Sequence, residues 1–320
     1  MKLANLTPKQ KKNLRILKLF IISLIFVGIA ASIAVVGCNY VINRNFKETF
    51  YCVSSIKVNS KIRVVQISDL HDASFGDDMV KRVESLKPDL IIYTGDSVDS
   101  DDESEDNVVA LCKSLAQIAP SYYIYGNNEV ERYYDTLLTK EALDEKFGFN
   151  DKNRDANKLL EVTDTLTQKL ETAGVKVLKN KMETVLVGST KVDIYGVLTS
   201  NPSAFWPYSG ESFSDYLYTN ENNLKITLVH EPAIFEEFTP EFWGDLMLAG
   251  HTHGGVMKIP MVGPLYTYDN GFLPERSGHY IYGRYDVQGR PLIVSSGLDN
   301  KNLLRINNQP EIVVVDVNKF

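Results

Sequence analysis

The sequence predicts an α/β protein in which a mostly buried β-sheet alternates with helices and is preceded by one N-terminal transmembrane helix. Three observations predict this fold class. An uncharged apolar run occupies residues 19–38, short apolar runs alternate with amphipathic helical patterns from Ile62 onward, and polar side chains directly follow several of the apolar runs. With 44% hydrophobic and 23% charged residues, the 320-residue chain can bury a core of ordinary size.

The N-terminal segment predicts a membrane anchor. Residues 19–38 carry no charge, and a helix rising about 1.5 Å per residue would span about 30 Å there, the thickness of a bilayer's hydrocarbon core. Residues 1–18 are basic and contain no acid, whereas only Arg44, Lys47 and Lys57 follow the run closely. The positive-inside rule therefore predicts a cytoplasmic N-terminus (1–18) and a single-pass protein whose body lies on the outer face of the cell membrane.

A cleaved signal peptide is the alternative to an uncleaved signal anchor. Val35-Val36-Gly37-Cys38 is similar to the lipobox of bacterial lipoproteins, in which the cysteine is lipidated, although its distance from the N-terminus is long for that class. Under both interpretations the body stays attached to the outer face of the membrane, through the helix or through a lipid at Cys38.

The remaining elements follow from hydrophobic periodicity. Residues 39–61 are a polar linker, and the alternation after it predicts strands at 62–67, 90–94, 122–125, 175–178, 192–197, 226–229, 246–248, 292–294 and 312–317. Helices are predicted at 78–86, 106–118, 158–173 and 232–238. Two segments near 130–157 and 199–223 interrupt the alternation and are predicted to be insertions over one end of the sheet. The acidic run 99–106 predicts a solvated loop that leads into a helix N-terminus.

The charge distribution argues against nucleic acid as a partner. All 41 acidic residues lie after residue 38, so the body is more negative than the net charge of −7 suggests. Such a body repels a phosphate backbone, although bound metal ions would offset part of its charge. The three cysteines form no metal-spaced or redox pair, and Cys112 is predicted to lie in the core.

Polar side chains follow five of the predicted strands at the points where the strands end. Asp69 and His71 follow the first strand, Asp96 the second, Asn127 the third, and His230, His251 and His253 two later strands. The carboxyl ends of strands in an α/β sheet are where ligands bind. Four of the five histidines belong to this set, and mixed nitrogen and oxygen donors suit a divalent transition metal. The fifth, His279, is expected at the surface.

In this order, the five blocks resemble the calcineurin-like metallophosphoesterase superfamily, and they look most similar to its membrane-anchored bacterial branch. The blocks read SDLHD, TGDSVD, GNNE, a lone histidine after ITLV, and GHTHGG, and the ending VSSGL…LLRINNQPEIVVVDV is also similar to that branch. The resemblance covers residues 62–320. It implies a metallophosphoesterase domain there, built of layered mixed β-sheets flanked by helices, and the activity of a metal-dependent phosphodiesterase or phosphatase.

The same resemblance implies two divalent metal ions. The first would be held by Asp69, His71, Asp96 and His253, and the second by Asp96, Asn127, His230 and His251, with Asp96 bridging. Two cations about 3.5–4 Å apart polarise phosphoryl oxygens and lower the pKa of a bound water, so that a metal-bridging hydroxide attacks phosphorus in line. Histidine ligands favour Mn, Fe or Zn over Mg or Ca.

The third block departs from the family pattern, because Asn128 stands where the family has a histidine that helps the leaving group or the transition state. Asn128 can donate a hydrogen bond but cannot deliver a proton near neutral pH. One hypothesis is a working phosphoesterase that prefers good leaving groups or takes its acid from elsewhere, such as Glu129 or the insertion after it. The alternative is a catalytically weak or inactive metal-binding homologue with a sensing or structural role.

The substrate class follows from location. A nuclease would use the same chemistry, but the acidic body and the outer-face location argue against one. A catalytic domain tethered beside the bilayer favours a lipid head group or an envelope phosphoester as the substrate.

Overall fold

The computed structural model describes residues 7–100, 104–138, 164–198, 216, 219–237, 244–255, 257–267, 270–300 and 305–320, without the side chains of 133–138. Its first element is helix α1 (Pro8–Asn43), which is longer than the predicted span of 19–38. Thr7 caps the helix, because its side chain accepts a hydrogen bond from the backbone N–H of Gln10. No residue of α1 is buried, and the helix is long and apolar enough to cross a membrane.

Six strands form the first sheet. Their spatial order is β1 (Lys47–Ser55), β15 (Glu311–Lys319), β2 (Ile62–Ile67), β3 (Leu90–Tyr93), β4 (Ser121–Tyr123) and β5 (Val175–Val177). Strands β2 to β5 are mutually parallel, β15 is antiparallel to β2, and β1 is parallel to β15. The sheet is therefore mixed, with a parallel centre.

Strand β1 lies inside the segment 39–61 that was expected to be a linker. Its nine residues pair in continuous register with β15, from Lys47 opposite Glu311 to Ser55 opposite Lys319. As an edge strand it keeps exposed side chains, such as that of Phe50, and its sequence therefore lacks the apolar run of a central strand.

The second sheet also has six strands, and a small third sheet lies beside it. The spatial order of the second sheet is β13 (Gly283–Val287), β14 (Arg290–Val294), β9 (Leu246–Ala249), β8 (Leu224–Leu228), β7 (Thr190–Gly196) and β6 (Lys181–Val187). Strands β14, β9, β8 and β7 are parallel, whereas β13 and β6 are antiparallel to their neighbours. The third sheet consists of β10 (Met257–Ile259), β11 (Gly263–Thr267) and β12 (Gly271–Phe272).

The alternation of side chains along the strands sorts the core into layers. Val64 and Ile92 of the first sheet pack with Ile226 and Leu248 of the second sheet in one buried cluster, so the two sheets face each other. The neighbouring residues in sequence point to the opposite faces, where helices cover them. The described helices of the body are α2 (Gly76–Leu86), α3 (Asp106–Ala116), α4 (Asn127–Leu138), α5 (Thr165–Thr172) and α6 (Ile234–Glu237).

Helices α2, α3 and α5 cover the outer face of the first sheet, through side chains such as Met79, Cys112 and Leu170. Ile234 and Phe235 of α6 pack on the outer face of the second sheet. The predicted fold class, layered mixed sheets flanked by helices, is thus confirmed, and Cys112 lies in the core as expected.

The two segments predicted as insertions are only partly described. The first begins with α4, and residues 139–163 lie outside the described part of the chain, as do 199–215 and 217–218 of the second. What the fold provides for a site is the edge at which β2, β3 and β4 of one sheet and β8 and β9 of the other all end.

Candidate metal centre

All seven predicted ligand residues come together at this edge. Asp69 and His71 lie in the turn after β2, Asp96 follows β3, and Asn127 is the first residue of α4 after β4. His230 follows β8, and His251 and His253 follow β9. Both sheets therefore contribute to one cluster, in which all seven side chains are buried or partly buried.

One half of the cluster consists of Asp69, His71 and His253. The Nε2 atoms of His71 and His253 lie 3.2 Å apart, and Nε2 of His253 lies 3.7 Å from Oδ1 of Asp69. These three residues form a group whose ligand atoms all lie within 4.8 Å of one another and could hold a metal ion.

The other half consists of Asp96, His230 and His251, which form a second such group, joined by Asn127. Nε2 of His230 lies 3.2 Å from Oδ2 of Asp96 and 3.3 Å from Nδ1 of His251. Oδ1 of Asn127 lies 3.1 Å from Nε2 of His230 and 3.0 Å from Nδ1 of His251. Asp96 also reaches the first half, because its Oδ2 lies 3.8 Å from Nε2 of His71.

The second ring nitrogens of two histidines show that the cluster suits cations. Nδ1 of His230 lies 2.7 Å from the carbonyl oxygen of Thr94, and Nδ1 of His71 contacts the carboxylate of Asp99. Each Nδ1 is therefore the donor, and in the neutral ring each Nε2 presents a lone pair to the cluster. When both rings are neutral, their Nε2 lone pairs face the carboxylate of Asp96 and the amide oxygen of Asn127 at 3.1–3.8 Å. Such a donor set fits metal ions, and the partners on Nδ1 orient the rings for them.

The electrostatics of the cluster also favour positive charge. Burial opposes protonation of His230, but the carboxylates, above all Asp96, raise its pKa to about 10. The same balance between burial and the carboxylates, together with the contact to Asp99, raises the pKa of His71 to about 9. Protons and divalent cations therefore compete for these nitrogens, so metal binding is expected to release protons.

The backbone around the cluster is strained. Asp69, His71, Asp96, His251 and His253 all have positive φ, between 47° and 70°. This region is unfavourable for residues other than glycine, and such strain concentrates at functional sites. It turns the side chains out of the strand ends and toward a common centre.

The glycines before the ligands are required by close packing. A Cβ atom on Gly126 would collide with the carboxylate of Asp96, and one on Gly95 would lie 2.5 Å from the backbone nitrogen of Gly126. A Cβ atom on Gly250 would collide with the hydroxyl of Ser68. The turns can approach this closely only with glycine at these positions.

Glu129 fastens the turn that carries Asp96. Its carboxylate is 0% exposed and accepts hydrogen bonds from the backbone N–H groups of Asp96, Ser97 and Gly126 at 2.7–2.8 Å. The hydroxyl of Tyr123 donates to the same carboxylate at 2.6 Å. The sequence left open that Glu129 supplies the acid. In the structure its carboxylate oxygens point into the protein and accept hydrogen bonds from backbone N–H groups.

Asn128, at the position of the family histidine, contacts the carboxylate of Asp96. Its side-chain nitrogen donates to Oδ2 of Asp96 at 2.7 Å, and its backbone N–H donates to Oδ1 at 2.9 Å. Both oxygens of Asp96 are thereby oriented by the same residue.

The acidic run was expected to be a solvated loop, and for two of its described members this is wrong. Asp99 contacts Nδ1 of His71, and Glu105 is 7% exposed and pairs with Arg132 and Lys169 at 3.3 and 3.2 Å. The partner of Asp99 lies 28 residues earlier, so no local pattern reveals the contact. His279 lies outside the cluster, half-exposed, beside Glu236.

Comparison with known proteins agrees with this geometry. The model of the calcineurin-like phosphoesterase family matches residues 62–255. The chain is 27% identical to the uncharacterized metallophosphoesterase YkuE of Bacillus subtilis, over 79% of this chain and 77% of that one. It is 26% identical to the phosphodiesterase YaeI of Escherichia coli, over 80% and 82% of the two chains. It is 25% identical to the UDP-2,3-diacylglucosamine pyrophosphatase LpxG of Chlamydia trachomatis, over 79% and 83%.

Proposed function

Because this chain belongs to the calcineurin-like phosphoesterases, a family of metal-dependent phosphoester hydrolases, we propose that it is a membrane-anchored phosphoesterase with a dinuclear centre held by the seven strand-end residues. The observation that carries the proposal is the pair of Asp/His groups with Asp96 between them. Asp69, His71 and His253 would hold one divalent ion, Asn127, His230 and His251 the other, and Asp96 both. The nitrogen-rich donor set favours Mn, Fe or Zn.

The bound ions would polarise the phosphoryl oxygens and activate a water for in-line attack on phosphorus. The protein's own part is orientation. Thr94 and Asp99 hold the imidazole rings of His230 and His71, and Glu129 and Asn128 hold Asp96. Because these candidate ligand side chains are already held in place, they need to reorganise less during the reaction.

Asn128 limits which esters are hydrolysed. Its amide donates to Asp96 and has no proton to give to a leaving oxygen near neutral pH. General acid catalysis contributes about 10² to 10⁴-fold, and its absence matters most for alkoxide leaving groups. The protein is therefore proposed to act best on esters with good leaving groups.

The location of the body supports a membrane substrate. Helix α1 ends at Asn43, four residues before β1, so the catalytic body begins immediately beside the bilayer if α1 crosses it. The basic residues before the apolar run favour a body on the outer face. A lipid head group or an envelope phosphoester is the proposed substrate, and the relative LpxG is named for a lipid substrate.

The test is hydrolysis of bis-p-nitrophenyl phosphate and p-nitrophenyl phosphate by the full chain in detergent, loaded with Mn. Asp96→Asn should lower turnover by at least about 100-fold, because it removes a ligand common to both ions. Equal turnover by the wild-type protein and the variant would contradict the dinuclear mechanism. If neither turns over while two metal ions remain bound, the metal-binding role without catalysis is favoured instead.

Asn128→His should raise the turnover of a dialkyl phosphodiester, followed by release of the alcohol, by about tenfold or more. The reason is that an acid then faces the leaving oxygen. Asn128→Gln is the matched control, since it keeps an amide and adds no acid. Unchanged turnover in Asn128→His would contradict the role given to position 128.

A further inference from the structure

Helix α1 is attached to the body just beyond its apolar run. The side chain of Asn43 donates a hydrogen bond to the backbone oxygen of Arg305 at 2.9 Å. One turn earlier in the helix, the side chain of Asn39 accepts one from the backbone N–H of Asn307, also at 2.9 Å. These two contacts lie about 6 Å apart along the helix axis, since a helix rises about 1.5 Å per residue. The chain from Arg305 to Asn307 therefore runs alongside α1 in the direction of the apolar run.

Strand β10 runs in the same direction beside that segment. Met257 forms a parallel bridge with Ile306, and the backbone N–H of Lys258 donates to the backbone oxygen of Ile306 at 3.1 Å. The side chain of Asn307 donates to the backbone oxygen of Lys258 at 3.0 Å. Because the pairing is parallel, β10 also extends toward the apolar run of α1, and the turn after β10 lies at the end nearer to that run.

The β10–β11 turn, which consists of Pro260, Met261 and Val262, presents exposed apolar side chains. The backbone N–H of Val262 donates to the backbone oxygen of Ile259 at 3.0 Å and closes the turn. Met261 has a φ of 65° at the position where such turns ordinarily have glycine, and its side chain is 106% exposed. A large apolar side chain that is held in a strained conformation and covered by no described residue indicates a contact outside the chain.

The level of this turn relative to a bilayer follows from α1. Tyr40 is 61% exposed, and its ring centroid lies 4.6 Å from the guanidinium carbon of Arg44. A tyrosine and a basic residue directly after an apolar run are typical of a membrane–water interface. Met261 is three residues beyond Lys258, so at about 3.3 Å per residue it reaches up to about 10 Å past the contact with Asn307. Segments that lie in a bilayer interface enter it to about this depth.

We infer that the β10–β11 turn inserts into the head-group region of the leaflet from which α1 emerges, so that the body contacts the membrane at a second point. This inference rests on the anchoring by α1 under the proposed function. A bilayer suits the turn better than a protein partner, because a stable protein interface buries about 800 Å² on each side and three residues cannot supply that area. A bilayer contact beside α1 needs only a small apolar surface, since α1 already holds the body there.

The second contact would also fix the position of the metal centre relative to the membrane. The side chain of Asn308 donates to the backbone oxygens of His253 and Gly255 at 2.8 and 2.6 Å. The segment that contacts α1 therefore also holds the loop of the candidate ligand His253, and β10 begins four residues after that histidine. With α1 on one side and the β10–β11 turn on the other, this loop is kept close to the bilayer surface.

The test measures how deeply the turn enters a bilayer. The full chain with Met261→Trp is reconstituted into vesicles of phosphatidylcholine and phosphatidylglycerol, with or without lipids whose acyl chains are brominated near the head group. The wild-type protein, which has two tryptophans, gives the background signal to be subtracted. Bromine should quench the added indole by about twofold or more, because the ring then lies in the interface.

Leu186→Trp is the matched control, since this leucine is also apolar and 65% exposed but lies on β6. The hairpin of β6 and β7 adjoins the turn after β1, where the backbone N–H of Asn59 donates to the hydroxyl of Thr190 at 3.2 Å. The nine residues of β1 place that turn about 30 Å from the end of α1. The indole of Leu186→Trp should therefore not be quenched.

A charge at the turn gives a second readout. Val262→Trp should be quenched in the same vesicles, and adding Met261→Asp should remove this quenching, because a carboxylate is costly to bury in apolar surroundings. Met261→Asp should leave the turnover of bis-p-nitrophenyl phosphate in detergent unchanged, which shows that the variant is folded.

Flotation of the vesicles separates failure of this inference from failure of the anchor. If the chain floats with the vesicles and Met261→Trp is not quenched, or is quenched no more than Leu186→Trp, the second membrane contact is refuted while the anchor stands. If the chain does not float, both the anchor and this inference are refuted. Hydrolysis is measured separately, in the p-nitrophenyl assays.

Discussion

Residues that contact the candidate ligands from outside the centre hold these side chains in position. Glu129 touches none of the ligand atoms that face the centre, yet it receives the backbone N–H of Asp96 and so fixes the turn that presents this carboxylate. Asp99 does the same for the ring of His71. Residues of this kind tune a metal site as strongly as many of its ligands.

Glu129→Gln is predicted to weaken both the fold and the centre. The substitution places an amide NH₂ against backbone N–H groups that now donate to a carboxylate, so the free energy of unfolding should fall by about 3 kcal/mol. Metal affinity, measured by competition with a chelator, should fall by about 10- to 100-fold. Glu183→Gln, at a half-exposed ion pair with Lys176, is the control and should change neither quantity. Unchanged affinity in Glu129→Gln would contradict the role of the turn.

At the residue scale the sequence predicts the ligands better than their supports. Six of the seven candidate ligand positions follow from a local pattern, because Asp and His directly follow apolar runs, whereas Asn127 was named as a ligand only through the family resemblance. Asp99 and Glu129 contact groups that are distant along the chain, so their roles follow only from the fold. The positive φ angles of five candidate ligands cannot be predicted from residue type either, because aspartate and histidine rarely adopt such angles.

At the scale of elements, an ion pair joins three parts of the first sheet's layer. Arg63 on β2 binds the carboxylate of Asp316 on β15 through Nε at 2.7 Å and Nη2 at 2.8 Å, and its Nη1 donates to the backbone oxygen of Leu86 in α2. The pair formed by β1 and β15 is thereby attached to the parallel centre of the sheet. The sequence predicted a strand at 312–317 but neither β1 nor this pairing.

Asp316→Asn is predicted to lower the free energy of unfolding by about 1 kcal/mol at pH 7, because it removes a bidentate, partly buried pair. The Arg63 guanidinium holds the pKa of Asp316 below its ordinary value, which is about 3.9 in an unfolded chain. The contribution is therefore complete above that value and is lost as the pH falls through the lower, folded pKa. Denaturant titrations should show a constant difference between wild type and variant from pH 8 to 5, closing below about pH 4.

The exposed carboxylate Asp78 is the control for this experiment, since its side chain is 67% exposed and its contact with Arg82 is 3.9 Å long. Asp78→Asn should leave stability nearly unchanged over the whole range. A difference between Asp316→Asn and wild type that grows on acidification would show that the pair does not act as described.

At the scale of the whole molecule, the N-terminal helix and the body are stabilised in different ways. The body is stable through its facing sheets and helical layers, whereas α1 has no buried residue and is long and apolar enough to cross a membrane. The sequence predicts the N-terminal helix from its length and its lack of charge. It does not predict which strands pair or that the two sheets face each other, because the order of strands depends on long-range pairing.

The orientation of the body is tested with Cys52. This cysteine is exposed on β1, Cys112 is buried, and Cys38 lies in α1. A membrane-impermeant maleimide should label the wild-type protein in sealed spheroplasts and should fail to label Cys52→Ser. Labelling that requires permeabilised membranes would place the body in the cytoplasm. Intact mass spectrometry of the purified protein separates the uncleaved anchor, with residues 1–37 present, from a lipidated Cys38.

The central proposal is that seven strand-end residues hold two adjacent metal ions, and anomalous scattering tests it most directly. Crystals of the full chain loaded with Mn should show two anomalous peaks per chain, about 3.5–4 Å apart, with a carboxylate oxygen of Asp96 between them. His71 and His253 should contact one peak, and His230 and His251 the other. A single peak, or two peaks that do not share Asp96, would contradict the dinuclear centre.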